Sequence, residues 1–368
     1  SSQYRYGPHN TAGSINYVTT PVDLGNRYFA SVSYGSGHDI LTHDYANYGF
    51  SGDYGAFAIL GDVYYRYGGG QREFNINPPS SSVHRKSYGS DDLGDMNHRA
   101  PMVKLLWQLP TQRNIVLEAK YAYEKNEYNQ SYAGQSTADF NLNPHHQYVA
   151  HQLGEYNTEH HTSYLKLRAE VTPKIRNATT VYYNYFTRDW FKLDKIKVAG
   201  TDYGEETFNS KAATGNQLVA RNVAKGITAG QLVYKGNDRK YGAYGVMNET
   251  DFDFNTSFLK DVDHQLKVGF KYHKDHHNRD QQKHNFTQAV GGAITAHADG
   301  VTFSDDRHEK TEGYAVYAEE KARINNFELS LGGRFEYMKF HYRDKTAAQG
   351  STSNMEEKMY AFSPGGGI

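Results

Sequence analysis

The stretch "SYLKLRAEV", Ser163 to Val171, decides the fold. Side chains of an extended chain alternate between two faces. Leu165, Leu167, Ala169 and Val171 therefore share one face, and Lys166, Arg168 and Glu170 share the other. One face wants an apolar surrounding and the other wants water. In a soluble sheet the apolar face would point inward to a core; in a membrane barrel it would point outward to lipid.

The same alternation returns along the chain. "NIVLEAKYAY" (114–123) sets Ile115, Leu117, Ala119, Tyr121 and Tyr123 against Glu118 and Lys120. "QLKVGFKYH" (265–273) sets Leu266, Val268, Phe270 and Tyr272 against Lys267, Lys271 and His273. "FELSLGGRFEY" (327–337) repeats it with Phe327, Leu329, Leu331, Phe335 and Tyr337 opposite Glu328, Ser330, Arg334 and Glu336. No convincing helical period accompanies these strands. The pattern predicts an all-β chain of about twelve strands, at roughly 26–35, 43–51, 56–74, 101–109, 114–125, 162–172, 175–191, 239–259, 265–275, 313–323, 327–343 and 358–368.

The links between them alternate short and long. "GDYG" (52–55), "PTQR" (110–113), "PK" (173–174), "DVDH" (261–264) and "NN" (325–326) read as tight turns, whereas 75–100, 126–161, 192–238 and 276–312 read as long polar loops. Tight turns at one end and long loops at the other are the plan of an outer-membrane barrel. Loops of that length are unusual inside a compact soluble domain. The expectation is a transmembrane antiparallel β-barrel, its apolar face toward lipid and its Lys, Arg and Glu face lining a wet lumen. Tyr-rich stretches near strand ends, "DVYYRY" (62–67) and "VYYNYF" (181–186), then read as interfacial girdles.

Composition agrees. Among 368 residues, aromatics make up 14%, too many for a disordered chain. No run of about 18 apolar residues could cross a bilayer as a helix. Forty basic residues against 41 acidic ones give a net charge of -1 and no electrostatic footprint for nucleic acid. The absence of cysteine excludes disulfides, thiolate metal sites and Cys nucleophiles. No Gly-x-Ser-x-Gly, phosphate-cradling Gly-Lys-Ser/Thr loop or His-Glu-x-x-His motif occurs, so no enzyme activity is expected.

The N-terminal stretch "YRYGPHNTAGSINYVTTP" (4–21) does not follow the barrel alternation. Its Tyr6-Gly7-Pro8 turn, Gly13 and Ile15 to Thr19 resemble the end of the plug domain of a TonB-dependent outer-membrane receptor, with Ala12-Gly13-Ser14 where that family usually has a Gly-Gly pair. "STADFNLNPHHQYVAHQLGEYNTEHHTSYLKLR" (136–168) and "TTVYYNYFTRDWFKLDKI" (179–196) resemble the ferric dicitrate receptor branch, through Ala138-Asp139-Phe140, Asn143-Pro144, Glu159-His160, Tyr182-Tyr183-Asn184, Arg188, Trp190 and Lys192-Leu193-Asp194. "GGGQREF" (68–74), "AVYAEEKARI" (315–324), "GGRFEY" (332–337) and "FSPGGGI" (362–368) match further barrel landmarks of that family.

The resemblance implies a plug end over 1–24 and barrel over 25–368, within a family whose complete barrel has 22 strands. The chain is then expected to be a fragment that lacks most of the plug, the energy-coupling box and the last strands. The implied function is active import of a ferric chelate, iron(III) dicitrate or another siderophore, through the bacterial outer membrane. Partners would be the TonB energy-coupling complex, outer-membrane lipid and lipopolysaccharide. The chelate is a transported ligand, and no permanently bound cofactor is expected.

Two constellations compete as the ligand site. Asn184, Arg188 and Lys192 share one parity near the outer end of a strand and could offer charge-assisted hydrogen bonds to a carboxylate-rich chelate. Phe186 and Trp190 share that parity, which counts against a wet face. The pairs His160-His161 and His276-His277, in predicted external loops, could instead capture nickel, zinc or haem iron. A barrel-embedded outer-membrane hydrolase is the alternative from a different class.

Overall fold

In a computed structural model, the described residues are 18–36, 38–70, 72–79, 94–256, 262–346 and 353–367. Twelve strands make one antiparallel meander: β1 (Arg27–Tyr34), β2 (Ile40–Gly52), β3 (Gly55–Gly68), β4 (Met96–Gln108), β5 (Ile115–Tyr128), β6 (Glu155–Thr172), β7 (Ile175–Val198), β8 (Gly230–Thr256), β9 (Val262–Gln288), β10 (Ile294–Ile324), β11 (Phe327–Asp344) and β12 (Asn354–Gly367). Each pairs with the next in sequence, and a short strand at Thr201–Tyr203 adds to β7 as the thirteenth member. The sheet is open, with β1 and β12 at its edges.

The register keeps the alternation intact across the sheet. Leu117 lies opposite Leu167, and Ala119, Leu165 and Val181 form a lateral row. Leu165, Leu167 and Val181 are 48%, 40% and 53% exposed, whereas Lys104 and Arg334 on the opposite face are 4% and 3% exposed. A soluble sheet would show the reverse. The apolar face is thus the outer, lipid-facing one, and the charged face lines the inside. On the outer face Tyr272, Tyr314, Tyr337 and Tyr360 pair laterally through β9 to β12, with ring centroids 5.1, 6.3 and 5.1 Å apart in turn. Amphipathic rings in such a row mark a membrane interface.

Residues 18–25 run without regular structure along the inner face of β2 to β4. Lys104 Nζ donates to the carbonyls of Thr20 and Thr19 at 2.6 and 3.3 Å, and Asn47 Nδ2 donates to that of Asp23 at 2.8 Å. Val22 packs there with Ala58, Leu60 and Leu106. Most of the expected plug end, residues 1–17, lies outside the described residues.

The expected loops need correction. Residues 276–312 are not a loop: β9 and β10 stay paired from Val262–Ile324 to Gln288–Ile294, joined by a link over 289–293. The loops expected over 126–161 and 192–238 shrink to 129–154 and 199–229, because β5 to β8 also run on past their apolar segments. Once a strand leaves the bilayer, its outer face meets water or the loops in place of lipid, and the regular apolar/polar alternation that marks it lapses.

The remaining loops form a folded cap that carries short helices, α1 (Thr137–Leu142), α2 (Glu205–Phe208) and α3 (Asn216–Ala224). Ser136 caps α1 by accepting from the Asp139 amide. Tyr148, Ala150, Leu153, Phe208, Ala220 and Val223 pack against Leu193, Ile196, Leu232, Tyr234 and Phe286 of the strand extensions. These strand residues continue the parity of the lipid face, so the face that meets lipid lower down meets protein here. Hydrogen bonds stitch the loops together: Lys225 Nζ and Tyr148 Oη both donate to Asp139, at 2.6 and 2.7 Å, and Gln152 Nε2 donates to the Gly292 carbonyl at 2.7 Å. Gly292 sits at φ 94° with Val149 where a Cβ would project, so glycine is required on both counts. His151 is fully buried in the cap with neither ring nitrogen hydrogen-bonded, and burial pulls its pKa down to about 4.

The lipid-facing assignment makes a direct prediction. Leu167→Arg should destabilise the inserted barrel by about 2–4 kcal/mol, and Arg168→Leu on the inner face should cost far less. Unfolding titrations of the complete receptor in bilayers check this, and equal effects at the two positions would refute the assignment.

Candidate functional site

The inner face of the strand extensions, above the membrane, concentrates positive charge. Arg188 on β7 lies opposite Arg239 on β8, Arg239 opposite Arg279 on β9, and Arg279 opposite Arg307 on β10. Four arginines thus form one lateral row, spanning about 15 Å at the usual strand spacing. The row is only partly neutralised. Arg279 and Arg307 both reach Asp305, at 3.1 and 2.8 Å. Arg188 and Arg239 form no ion pair among the described residues: Arg188 lies over the Trp190 ring at 5.7 Å, and Arg239 Nη1 donates to Tyr241 Oη at 3.4 Å.

Below this row the inner face is aromatic. Phe186 and Tyr241 lie 5.7 Å apart, and His277 stacks on Tyr241 at 4.5 Å while its Nδ1 pairs with Glu309 at 3.1 Å. Above it, Lys192 lies beside Lys235, which lies beside Lys283. Lys192 Nζ sits 3.2 Å from the Tyr132 ring centroid and 4.2 Å from that of Trp190. Burial lowers its pKa, and aromatic faces partly replace its lost hydration. The result is a vestibule of guanidinium and ammonium groups backed by rings, suited to a large anion.

Asn184, Arg188 and Lys192 therefore face inward together, and so do Phe186 and Trp190. The shared aromatic parity does not expel the cations, because the rings serve as platforms for them. Arg239, Arg279 and Arg307 were missed by the sequence reading. Arg239, Arg279 and Arg307 each stand 17 residues from the strand end at their tight turn (Thr256, Val262 and Ile324), but Arg188 stands 13 from Ile175, so spacing ties it to none of them, and 279 and 307 fall in a stretch that reads as loop.

The histidine pairs separate. His160 and His277 face inward, while His161 and His276 face outward, because neighbours in a strand project to opposite faces. His160 packs on Phe186 at 5.7 Å and shares a 3.1 Å hydrogen bond with Thr162. His161 joins the outer aromatics, with Tyr121 Oη 2.8 Å from its Nδ1. His276 lies between Gly242 and Lys310 on the outer face. All four lie on strands rather than loops, and the two rings of each pair cannot close on one ion. Among the described residues no group of three His, Cys, Asp or Glu side chains is arranged to hold a metal.

An antiparallel meander with an apolar outer face, a tyrosine row at its rim and a charged interior defines the wall of a transmembrane β-barrel. The chain belongs to the family of TonB-dependent receptor-like β-barrels, whose sequence profile matches residues 107–368, and this places it in the bacterial outer membrane. No curated protein sequence matches it. Among solved structures it is similar to the ferric citrate transporter FecA in the unliganded form (15% identity, TM-score 0.65, 99% of this chain and 44% of that one). It is also similar to the siderophore receptor PiuA from Acinetobacter baumannii (15%, 0.64, 96% and 48%) and the ferric yersiniabactin uptake receptor FyuA from Yersinia pestis (12%, 0.51, 96% and 45%). At these identities the likeness is one of fold, and the chain spans less than half the length of each.

Proposed function

We propose that the protein of which this chain forms part imports a ferric chelate of the citrate or small-siderophore kind, actively, with the TonB energy-coupling complex as its periplasmic partner. The carrying observation is the arginine row, with Arg188 and Arg239 held side by side and no carboxylate in ion-pair contact with either among the described residues. Like charges in adjacent ladder positions repel, and an anionic cargo relieves that cost on binding. Residues 18–25, hydrogen-bonded along the inner wall, support a plug that enters the barrel at this point. The solved neighbours named for ferric citrate, siderophore and ferric yersiniabactin transport agree with such a cargo.

Equilibrium binding of ferric citrate, haemin and nickel to the intact receptor tests the reading. Ferric citrate is expected to bind and to be lost with the arginines. Tight binding of nickel or haemin that disappears with His160→Ala and His277→Ala, in the absence of any ferric citrate binding, would replace this cargo with a metal or haem.

A further inference from the structure

We propose that the cap is released by acid, through protonation of His151, whose turn is the point where the loops of the cap meet. The inference goes beyond the cargo and does not depend on it. The 3-10 turn Val149–His151 is held from four sides. Val149 N donates to Asn75 Oδ1 at 2.9 Å, and Asn75 Nδ2 donates to the Lys225 carbonyl at 2.8 Å, which joins the loop after β3 to the end of α3. The Val149 side chain fills the space beside both Gly226 and Gly292. From β8, Tyr234 Oη donates to the Ala150 carbonyl. One turn thus ties three loops to the strand extensions.

Nothing at this junction would compensate a charge on His151. The residue is 1% exposed, and neither ring nitrogen has a hydrogen-bond partner among the described residues. The elements packed on its turn are α3, β7, β8 and the link over 289–293, which carries no titratable group. The groups of the others are engaged elsewhere: Arg221 donates to the carbonyls of Phe208 and Ser210 at 2.6 and 2.5 Å, Lys195 pairs with Asp202 at 3.6 Å, and Asp194 and Lys235 act on Lys192. None of them, nor Arg72 or Glu73 of the loop after β3, bears on the ring, whose lowered pKa has burial as its only cause. An imidazolium without an acceptor cannot stay buried, so the ring charges only as the turn leaves its site.

The open cap takes up the proton at the ordinary histidine value of 6.5, the closed cap only at about 4. Closure is therefore fully stable above the first value, weakens as pH falls between the two, and weakens no further below the second. Across that window the opening equilibrium should rise about 300-fold, the antilogarithm of the difference. Asp139 does not share this behaviour. Burial would raise its pKa, but hydrogen bonds from Lys225, Tyr148 and Ser136 hold it below the usual carboxylate range, so it stays charged while His151 takes up its proton. The loop that carries His151 also carries Tyr132, whose ring lies over Lys192, so release of the cap uncovers one edge of the vestibule.

Hydrogen exchange of the complete receptor in bilayers, corrected for intrinsic rates and followed from about pH 7 to about pH 4, provides the test. Amides of 146–154 and 199–229 should lose protection by about 300-fold, at no more than about one decade per pH unit, as a single proton requires. Those of 163–171 in the wall should keep theirs. His151→Leu and His151→Gln, whose side chains cannot take up a proton, should each abolish the acid-dependent loss. Should neither variant fold, the slope on the unaltered receptor decides alone. Acid-dependent loss that persists in either variant, a flat profile in the unaltered receptor, a slope near two decades per unit, or loss in cap and wall together would overturn the proposal.

Discussion

Replacing Arg188 and Arg239 together by alanine should lower the affinity of the intact receptor for ferric citrate by about two to three orders of magnitude. A hydrogen bond to a charged group is worth about 1.5–3 kcal/mol, or roughly tenfold to a hundredfold per arginine. Neighbours in one network do not add fully, so the double variant should fall short of the product of the two singles. Arg323→Ala is the control: Arg323 faces the same interior near the tight-turn end and is already engaged by Glu328 at 2.6 Å. It should change binding little. The empty double variant should also melt at a higher temperature than the unaltered receptor, because removing two adjacent unneutralised charges relieves repulsion. A drop in affinity of less than about threefold, well below one charged hydrogen bond, would show that the row is not the binding surface.

The second large effect concerns the cap. Phe208 is 1% exposed, at the centre of the cluster that joins α2 and α3 to β7 and β8. Phe208→Ala should destabilise the cap by about 3–5 kcal/mol, because it removes a buried ring and leaves a cavity that fixed strands cannot collapse around. The barrel wall shares none of this cluster below the membrane rim, so its own stability should hold. Hydrogen exchange separates the two: amides of 199–229 should lose protection by several hundredfold or more, while those of 163–171 keep theirs. Loss of protection in both regions alike would mean that cap and wall unfold as one unit.

The alternation in 114–123, 163–171, 265–273 and 327–337, with turns such as Pro173-Lys174 and Asn325-Asn326, determined by itself that this chain is an antiparallel wall with a lipid side and a water side. Those positions carry the information because each residue meets one of two very different solvents, and a period of two is all that is needed to record it. Beyond the membrane rim the outer face meets water or the cap in place of lipid, the contrast lapses, and β9 and β10 continue through 276–312 on backbone hydrogen bonds and polar pairs such as His277 with Glu309 and Arg279 with Asp305, which carry no apolar period. Register also lies outside the sequence, since pairing is settled by long-range contacts between strands. Only the folded sheet brings Arg188, Arg239, Arg279 and Arg307 into one row, sends His160 and His161 to opposite faces, and covers Tyr234 with a cap drawn from two loops far apart in the chain.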